Sequence, residues 1–171
     1  MPPRVRAIRI ISGGQTGVDR AALDVAMALG LGCGGWVPRG RRAEDGAIAS
    51  HYPLRETASR GYPQRTRRNV RDADAILIIA RGMATGGTAL TIATARALNR
   101  PLLIVDLLQG PDPAAVGTWL AEIEPAVLNI AGPRESISPG IYEEAREFLE
   151  RVFADASGEA MRTNAAIRRS S

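Results

Sequence analysis

The 171-residue chain has no lysine, one cysteine, one histidine and only 4% aromatic residues. Without lysine it can use neither Schiff-base chemistry nor the phosphate-binding lysine of a Walker loop. The single cysteine, Cys33, excludes an internal disulfide and a multi-cysteine metal site, and we expect it to be a small buried residue. The chain shows no apolar run of ~18 residues, the length of a membrane-spanning helix, and no secretory signal. These absences favour a cytoplasmic protein without a membrane partner.

All 22 basic residues are arginine, a side chain that grips phosphate and carboxylate groups with two parallel hydrogen bonds. The formal net charge is +4, but the excess lies at the two ends of the chain. Residues 1–9 carry three arginines, and the segment from residue 155 carries three arginines and two acids; the remaining 16 arginines equal the remaining 16 acids. Because residues 10–154 have no net charge and the chain has few aromatic residues, we predict that it has no nucleic-acid partner.

Short apolar runs alternate with helical periodicities along the chain. A β-rich run at residues 7–12 ends in a glycine turn, and an amphipathic helix follows it. The later predicted elements are a strand near residues 32–37, an irregular segment at 38–63, a short polar helix at 64–72, a strand at 75–80, a helix with Leu90, Ala93, Ala97 and Leu98 inward, a strand at 102–105, a helix capped by Asp112, a strand at 126–131 and a last helix capped by Ser138 and Pro139.

Non-alternating apolar strands joined by helices are typical of a parallel sheet that is buried on both faces. We therefore predict an α/β fold with a doubly wound, mostly parallel, Rossmann-like sheet and helices on both faces. One domain is expected over residues 7–154, with a flexible N-terminus at 1–6 and a flexible basic tail at 155–171. Ligands of such sheets bind beyond the carboxyl ends of the strands, where the strand order reverses.

Two glycine turns each lie between a predicted strand and a predicted helix: Gly13-Gly14-Gln15-Thr16-Gly17 and Thr85-Gly86-Gly87-Thr88. A helix N-terminus offers free N–H groups and a partial positive charge, and glycine lets the backbone approach a phosphate closely. Either turn alone could need its glycines for geometry only. Two turns in equivalent positions of one sheet predict a single crevice that holds an anionic ligand from both sides.

Arginine is concentrated in two further places. Arg39, Arg41 and Arg42 lie in the irregular segment, where they could clamp an oxyanion or form a solvated charged loop. The short polar helix carries four arginines, including Arg65, which we expect to face solvent or an interface, whereas Asn69 could point into the crevice. No Ser–His–Asp set and no cluster with metal-ligand spacing is apparent in the sequence.

The block Ser12–Asp24, which contains the first glycine turn, resembles the opening signature of the molybdenum cofactor carrier family. The block Gly34–Gly46 is similar to the second signature of that family, and shorter similar blocks follow in order through Thr85–Leu90. The resemblance covers roughly residues 8–150. At the level of the fold it extends to a Rossmann-like group that includes the lysine-decarboxylase-like phosphoribohydrolases and a DNA-processing protein.

The resemblance implies a homotetramer that binds, protects and delivers the molybdenum cofactor, a phosphorylated pterin with oxo-molybdenum, to apo-molybdoenzymes. It implies a carrier and not an enzyme, with no catalytic and no metal-ligating residue. The residues expected to contact the cargo, on the resemblance and the motifs together, are Gly13, Gly14, Gln15, Thr16, Gly17, Arg20, Arg39, Arg41, Arg42, Asn69, Thr85, Gly86, Gly87 and Thr88.

The alternative function is a nucleoside-monophosphate phosphoribohydrolase or another nucleotide-binding protein of the same fold. The phosphoribohydrolases carry a catalytic Glu shortly after their equivalent of the second glycine turn. Here Ala89, Leu90 and Thr91 occupy that stretch, and no carboxylate follows until well beyond the helix. Glu44 or Asp45 could replace the missing acid only if their loop folds inward.

Overall fold

The computed structural model describes the backbone of residues 8–168 and the side chains of residues 8–154. The elements, in chain order, are β1 (Arg9–Ile11), α1 (Val18–Ala28), β2 (Cys33–Gly34), β3 (Trp36–Val37), β4 (Arg42–Ala43), β5 (Gly46–Ala47), β6 (Arg55–Glu56), α2 (Tyr62–Asp72), β7 (Ala75–Ala80), α3 (Gly86–Ala97), β8 (Leu102–Asp106), α4 (Pro113–Ile123), β9 (Val127–Ala131) and α5 (Ile141–Arg168). A short 3-10 helix, Leu107–Gln109, follows β8.

The main sheet has five parallel strands in the order β2-β1-β9-β7-β8. The chain runs outward from β1 to β2 and, later, from β7 to β8, and β9 then inserts between β1 and β7. Strand order therefore reverses at the centre of the sheet, and the turns after β1, β7 and β9 meet at one edge. This arrangement confirms the predicted Rossmann-like α/β class.

Aliphatic side chains cover both faces of the sheet, as the non-alternating strands predict. All six residues of β7 are buried. One face carries α1, α4 and α5, whose contacts with one another enclose the larger core cluster. The other face carries α2 and α3, which pack together over the smaller cluster around Ile76 and Ile78.

The strand predicted at residues 32–37 is divided in two by Gly35. This residue has φ +133°, and a Cβ there would lie 2.0 Å from the carbonyl oxygen of Ser12. The chain bends at this close approach, so β2 pairs with β1 in the main sheet whereas β3 pairs with β6 outside it. A single continuous strand was the wrong prediction because the sequence does not reveal the contact with Ser12.

The segment at residues 38–63 is ordered by contacts that hydrophobic periodicity does not register. It contains the β4–β5 pair, and its apolar residues Ala43, Ile48 and Tyr52 pack with Val37 of β3 and Leu23 of α1 in a third cluster. Arg41 holds the turn because its guanidinium donates hydrogen bonds to the carbonyl oxygens of four loop residues: Ile48, Ala49, Tyr52 and Leu54.

The buried face of α3 differs from the predicted one. Thr88, Thr91, Ile92 and Ala95 face the sheet and α2. Leu90 is half-buried, while Ala93, Ala97 and Leu98 are exposed, Leu98 by 46% of its surface. Small and apolar residues of α3 occur on more than one side of the helix, so several possible buried faces fit the 3.6-residue period. Packing against the sheet and α2 decides which of these faces is buried.

The ends of the chain leave two predictions open. Helix α5 continues past residue 154 in the backbone, but the side chains from residue 155 lie outside the part that the structure describes. The flexibility expected for the basic tail therefore stays a prediction. The expected flexible N-terminus at residues 1–6 also lies outside the described residues. Across the described part of the chain, the helices are too short or too polar to cross a bilayer.

Candidate functional site

A cleft opens at the carboxyl edge of the sheet, above β9 and between α2 and α3. Both glycine turns contribute to it, as the sequence predicts: Gly13 and Gln15 line one side, and Thr85, Gly86, Gly87 and Thr88 line the other. The volume of the cleft is about 120 Å³. The remaining walls are formed by Asp19, Tyr62, Arg65, Thr66, Asn69, Thr91, Asn129, Ala131, Gly132, Pro133, Arg134 and Ile137.

The first glycine turn is filled by protein groups. A Cβ on Gly13 would lie 2.4 Å from the guanidinium of Arg65, and a Cβ on Gly17 would lie 2.4 Å from the carbonyl oxygen of Pro133. That same carbonyl accepts a hydrogen bond from the N–H of Val18, at 3.3 Å, in the first turn of α1. The glycines of this turn are therefore explained by internal packing, and the start of α1 has a carbonyl where a phosphate was expected.

The second glycine turn is open. Apart from the adjacent residues and the backbone of α3 itself, no atom of the described residues lies within 4 Å of a Cβ built on Gly86 or Gly87. Thr85 precedes α3 without a side-chain capping bond, and the first turn of the helix has no acidic residue. The N–H groups of Gly86 and Gly87 have no acceptor among the described residues. This helix N-terminus retains the unpaired donors and positive dipole end that suit an anion.

A buried ion pair forms the wall opposite α3. A guanidinium nitrogen of Arg65 lies 3.7 Å from the carboxylate of Asp19, and the same nitrogen donates a hydrogen bond to the carbonyl oxygen of Gly13. Burial raises the pKa of Asp19 above its usual value, against the opposing effect of Arg65. Burial also lowers the pKa of Arg65, which nevertheless stays protonated because arginine titrates far above neutral pH.

The mouth of the cleft is positively charged around one aromatic ring. The guanidinium carbons of Arg65, Arg42 and Arg134 lie 5.3, 5.4 and 5.9 Å from the ring centre of Tyr62. Arg134 also lies 3.8 Å from Glu44, so this positive charge is partly neutralised. Of the predicted arginine loop, Arg42 approaches the cleft through its contact with Tyr62.

The other loop arginines and Arg20 have different surroundings. Arg39 is exposed and Arg41 is bound to the loop carbonyls, and neither lines the cleft. Arg20 lies on the far side of the turn, where it forms a 2.7 Å ion pair with Asp45 and donates to the carbonyl oxygen of Gly14. Gly14 itself faces the side chains of Ile48 and Leu54. Arg39, Arg41, Arg20 and Gly14 were predicted as ligand contacts together with Arg42. Of these five residues, only Arg42 lies near the cleft.

The polar side chains of three further predicted residues are engaged by the protein. The side-chain oxygen of Gln15 accepts from the N–H of Thr16 at 3.0 Å and from that of Glu44 at 2.9 Å. The hydroxyl of Thr16 donates to Glu44. The amide of Asn69 is buried against the backbone of Trp36, from whose N–H it accepts at 2.8 Å and to whose carbonyl it donates at 3.0 Å.

The loop carboxylates Glu44 and Asp45 form ion pairs, Glu44 with Arg134 at the mouth of the cleft and Asp45 with Arg20. Partial burial would raise the pKa of Glu44, but hydrogen bonds from Ser136 and Thr16 outweigh it and lower that pKa. The ion pair with Arg20 lowers the pKa of Asp45. Both groups are therefore ionised and bound at neutral pH, and neither lines the cleft.

Sequence reasoning missed the residues that are most polar in the cleft: Asp19, Arg65, Asn129 and Arg134. The expectation that Arg65 faces solvent was wrong, because only 7% of this residue is exposed. A signal was available in α2, where Arg65, Thr66, Asn69 and Val70 form one buried stripe at helical spacing. Asn129 is the one polar residue of the apolar strand β9.

Cys33 and the acidic residues form no metal centre in this part of the chain. The described residues contain no group of three or more His, Cys, Asp or Glu side chains that could hold a metal ion. Cys33 is half-buried in β2, outside the residues that line the cleft, and burial raises the pKa of its thiol.

Comparison with known proteins shows the family of the chain. The sequence model of the circularly permuted YpsA SLOG family matches residues 10–153. A solved structure, the "Putative molybdenum carrier protein" of Syntrophus aciditrophicus SB, is 44% identical and superposes with a TM-score of 0.81. The match covers 85% of this chain and 95% of that chain. No curated protein matches the sequence. These findings confirm the family resemblance drawn from the sequence.

Proposed function

Since this chain belongs to the circularly permuted YpsA SLOG family, we propose that its cleft binds a molybdopterin-type ligand and that the protein is a carrier. The carrier role is drawn from the solved relative, whose name is "Putative molybdenum carrier protein" and which is 44% identical. The observation that carries the proposal for this chain is the open N-terminus of α3, where Gly86 and Gly87 present unpaired N–H groups beside an arginine-lined mouth.

The residues present fit the phosphate end of such a ligand. Two glycines without neighbouring atoms leave space for a phosphate at the start of α3, and the hydroxyls of Thr85 and Thr88 lie in the same wall. Arg134 lies at the mouth and is 41% exposed, so it can turn towards a bound anion. The cleft volume of about 120 Å³ is smaller than the usual ligand pocket of roughly 300–1,000 Å³. We infer that only part of the cargo enters and that the remainder lies across the mouth.

The cargo brings its own metal in this proposal. Molybdenum would be held by the dithiolene of the pterin, so the protein need not supply metal ligands of its own. What the chain supplies is a phosphate site, a polar wall and a positively charged mouth. The residues that line the proposed ligand site therefore keep Gly13, Gln15, Asn69, Thr85, Gly86, Gly87 and Thr88 from the sequence prediction and add Arg65, Asn129 and Arg134.

Titration calorimetry of the purified protein tests this proposal. We expect binding of the isolated molybdenum cofactor, and clearly weaker binding of the same pterin after its phosphate is removed. Molybdate and tungstate, titrated separately, measure what the oxyanion alone contributes. Equal affinity for the phosphorylated and dephosphorylated pterins, or no binding of either at micromolar protein, would contradict the proposal.

A second candidate function is favoured by one observation. The buried carboxyl of Asp19 lines the same cleft, and burial raises its pKa. A carboxyl with a raised pKa is better suited to proton transfer than an ordinary aspartate, because it holds its proton to a higher pH. The cleft could therefore act as a nucleoside-monophosphate phosphoribohydrolase without the Glu that is absent after the second turn. Release of free base from AMP, lost in Asp19→Asn, would favour hydrolysis over transport.

The quaternary structure and location belong to the same proposal. We propose a homotetramer in the cytoplasm that passes its cargo to apo-molybdoenzymes. Support for self-association comes from α3, whose residues Ala93, Ala97 and Leu98 are exposed on the protomer. Ile104 of the edge strand β8 is 43% exposed and lies on the same face of the sheet as Leu102, which packs in the cluster beneath α2 and α3.

A further inference from the structure

Asn129 is a buried polar residue without a partner at the floor of the cleft. Only 2% of it is exposed, yet its side-chain oxygen Oδ1 has no hydrogen-bond partner among the described residues. Its neighbours across the sheet are Ile11 of β1 and Ile76 of β7, neither of which can donate a side-chain hydrogen bond. Buried polar atoms are nearly always paired, so an unpaired one at a cleft calls for an explanation.

The position of Asn129 supplies that explanation. The residue lines the cleft that also contains the open N-terminus of α3. Two independent features of one cavity thus lack partners: N–H donors at Gly86 and Gly87, and an oxygen acceptor on Asn129. Donors at a helix N-terminus suit an anion, whereas an amide oxygen repels an anion and suits an N–H or O–H group. A single molecule that satisfies both must carry an anionic group and a donor.

We propose that Asn129 determines ligand specificity in this cleft, where its Oδ1 accepts a hydrogen bond from an N–H or O–H group of a phosphate monoester whose phosphate lies at the start of α3. This inference rests on the proposed function for the place of the phosphate, but it does not depend on the cargo being a pterin. The ring N–H groups of a phosphorylated pterin and the hydroxyl or base N–H groups of a nucleoside monophosphate share the required chemistry.

The Asp19–Arg65 pair differs from Asn129 because its polar groups are already bound within the protein. Arg65 donates to the Gly13 carbonyl and faces Asp19, and Asp19 in turn accepts from the N–H of Gln15 at 3.3 Å. These two side chains already have partners inside the protein. Asn129 differs from both, because its buried side-chain oxygen has no hydrogen-bond partner among the described residues.

The test compares Asn129→Val with the unmodified full-length protein by calorimetry. Valine removes the acceptor and suits a strand position. The probes are inorganic phosphate, phosphorylated pterin and AMP. We expect the variant to bind inorganic phosphate within twofold of the unmodified protein and to bind the preferred monoester at least tenfold more weakly. Equal losses for phosphate and monoester, or no loss for either, would overturn the inference.

Stability without ligand gives a second, opposite readout. Removing an unpaired buried oxygen should raise the melting temperature of the ligand-free protein, because no hydrogen bond is lost and a desolvated polar atom disappears. A lower melting temperature for Asn129→Val would show that Oδ1 supports the fold, and it too would overturn the inference. Thr118→Val on the exposed surface of α4 is the control and should change neither readout.

A second variant keeps the test decisive if valine does not fit. Asn129→Ala leaves a small cavity, so its stability is not diagnostic, but the ratio of monoester to phosphate affinity should fall as in the valine variant. The failure of the two proposals can be told apart. If the unmodified protein binds AMP and not the pterin, the carrier function fails while Asn129 is still tested on AMP. If it binds neither monoester, both proposals fail.

Discussion

At the scale of single residues, Arg65 joins α2 to the first glycine turn and to the start of α1. It is the buried cation of α2 that faces Asp19 and holds the carbonyl of Gly13. Breaking a buried ion pair leaves an uncompensated charge, which typically costs about 3–5 kcal/mol. Neutralisation of Asp19 by a proton should recover part of that free energy, because burial already raises its pKa.

We predict that Arg65→Met lowers the free energy of unfolding by about 3 kcal/mol at pH 7, measured by urea denaturation. The matched control is Arg71→Met on the same helix. Arg71 pairs with Asp72 at 3.1 Å on the surface, and its side chain is 60% exposed. Exposed pairs contribute about 0–1 kcal/mol. Similar losses in the two variants would mean that the Arg65 pair is not the buried contact described above.

The pKa of Asp19 leads to a prediction about pH. A carboxyl whose pKa is higher in the folded than in the unfolded protein binds its proton more tightly when folded. Its contribution to stability is therefore complete below the unfolded-state pKa, near 3.8, and is lost as the pH rises through the folded-state pKa. The stability of the unmodified protein relative to Asp19→Asn should fall as the pH is raised from 4 towards neutrality. Urea denaturation at a series of pH values measures this, and a flat difference would show that the pKa is not raised.

The limits of the sequence at this scale are physical. The glycine motifs and Asn69 could be placed in the cleft, because turns between parallel strands and helices must meet at one edge of the sheet. Arg65 and Asn129 could not be assigned with the same rules. An arginine on a polar helix usually faces water, and the partners that bury Arg65, Asp19 and Gly13, are more than 40 positions away. The helical spacing of α2 groups Arg65 with Thr66, Asn69 and Val70 on one stripe, but it does not identify the distant residues that this stripe contacts.

At the scale of elements, the two helix N-termini of the cleft are not equivalent. The start of α1 donates to the Pro133 carbonyl and carries Asp19 in its first turn, whereas the start of α3 is open. The similar glycine turns led to the expectation that both grip the ligand. The difference arises from the loop between β9 and α5, which covers the first glycine turn and leaves the second one open. No motif in the sequence of this loop indicates that it covers the turn.

Gly87→Ala separates a structural from a ligand-related reason for glycine in α3. Apart from the adjacent residues and the backbone of α3, no atom of the described residues lies within 4 Å of the added Cβ, and the backbone of Gly87 is not in the left-handed region. Alanine should therefore stabilise the ligand-free protein by about 0.4–1 kcal/mol, while its methyl group occupies the place of the phosphate and weakens ligand binding. Thermal denaturation and calorimetry measure the two effects.

Gly117→Ala is the matched control for that variant, because Gly117 also lies in a helix with open space around its Cβ. It should give a similar gain in stability with no change in affinity. Unchanged affinity in Gly87→Ala would place the ligand away from the start of α3.

At the scale of the whole molecule, the hydrophobic pattern predicts the strands of the sheet and the order of strands and helices. It does not predict which face of an outer helix is buried. The strand at residues 75–80 and the order of strands and helices follow from apolar runs that must be buried on both faces. The orientation of α3 does not, since Ala and Leu occur on more than one side of it. Its predicted inward stripe, Leu90, Ala93, Ala97 and Leu98, is largely directed away from the protomer core. An exposed helix face with the apolar pattern of a buried one is typical of a surface that an oligomer buries between its subunits.

We therefore predict that Ala93→Glu reduces the molar mass measured by light scattering from that of an oligomer to that of a monomer. A buried glutamate at a subunit interface lacks a partner and is strongly destabilising, whereas in the isolated protomer Ala93 is exposed and glutamate suits a helix. The matched control is Ala115→Glu, an exposed alanine in α4, which should leave the molar mass unchanged. Retention of the tetramer in Ala93→Glu would remove α3 from the interface. A molar mass of a monomer for the unmodified protein would contradict the proposed tetramer, and the exposed apolar side of α3 would then need another explanation.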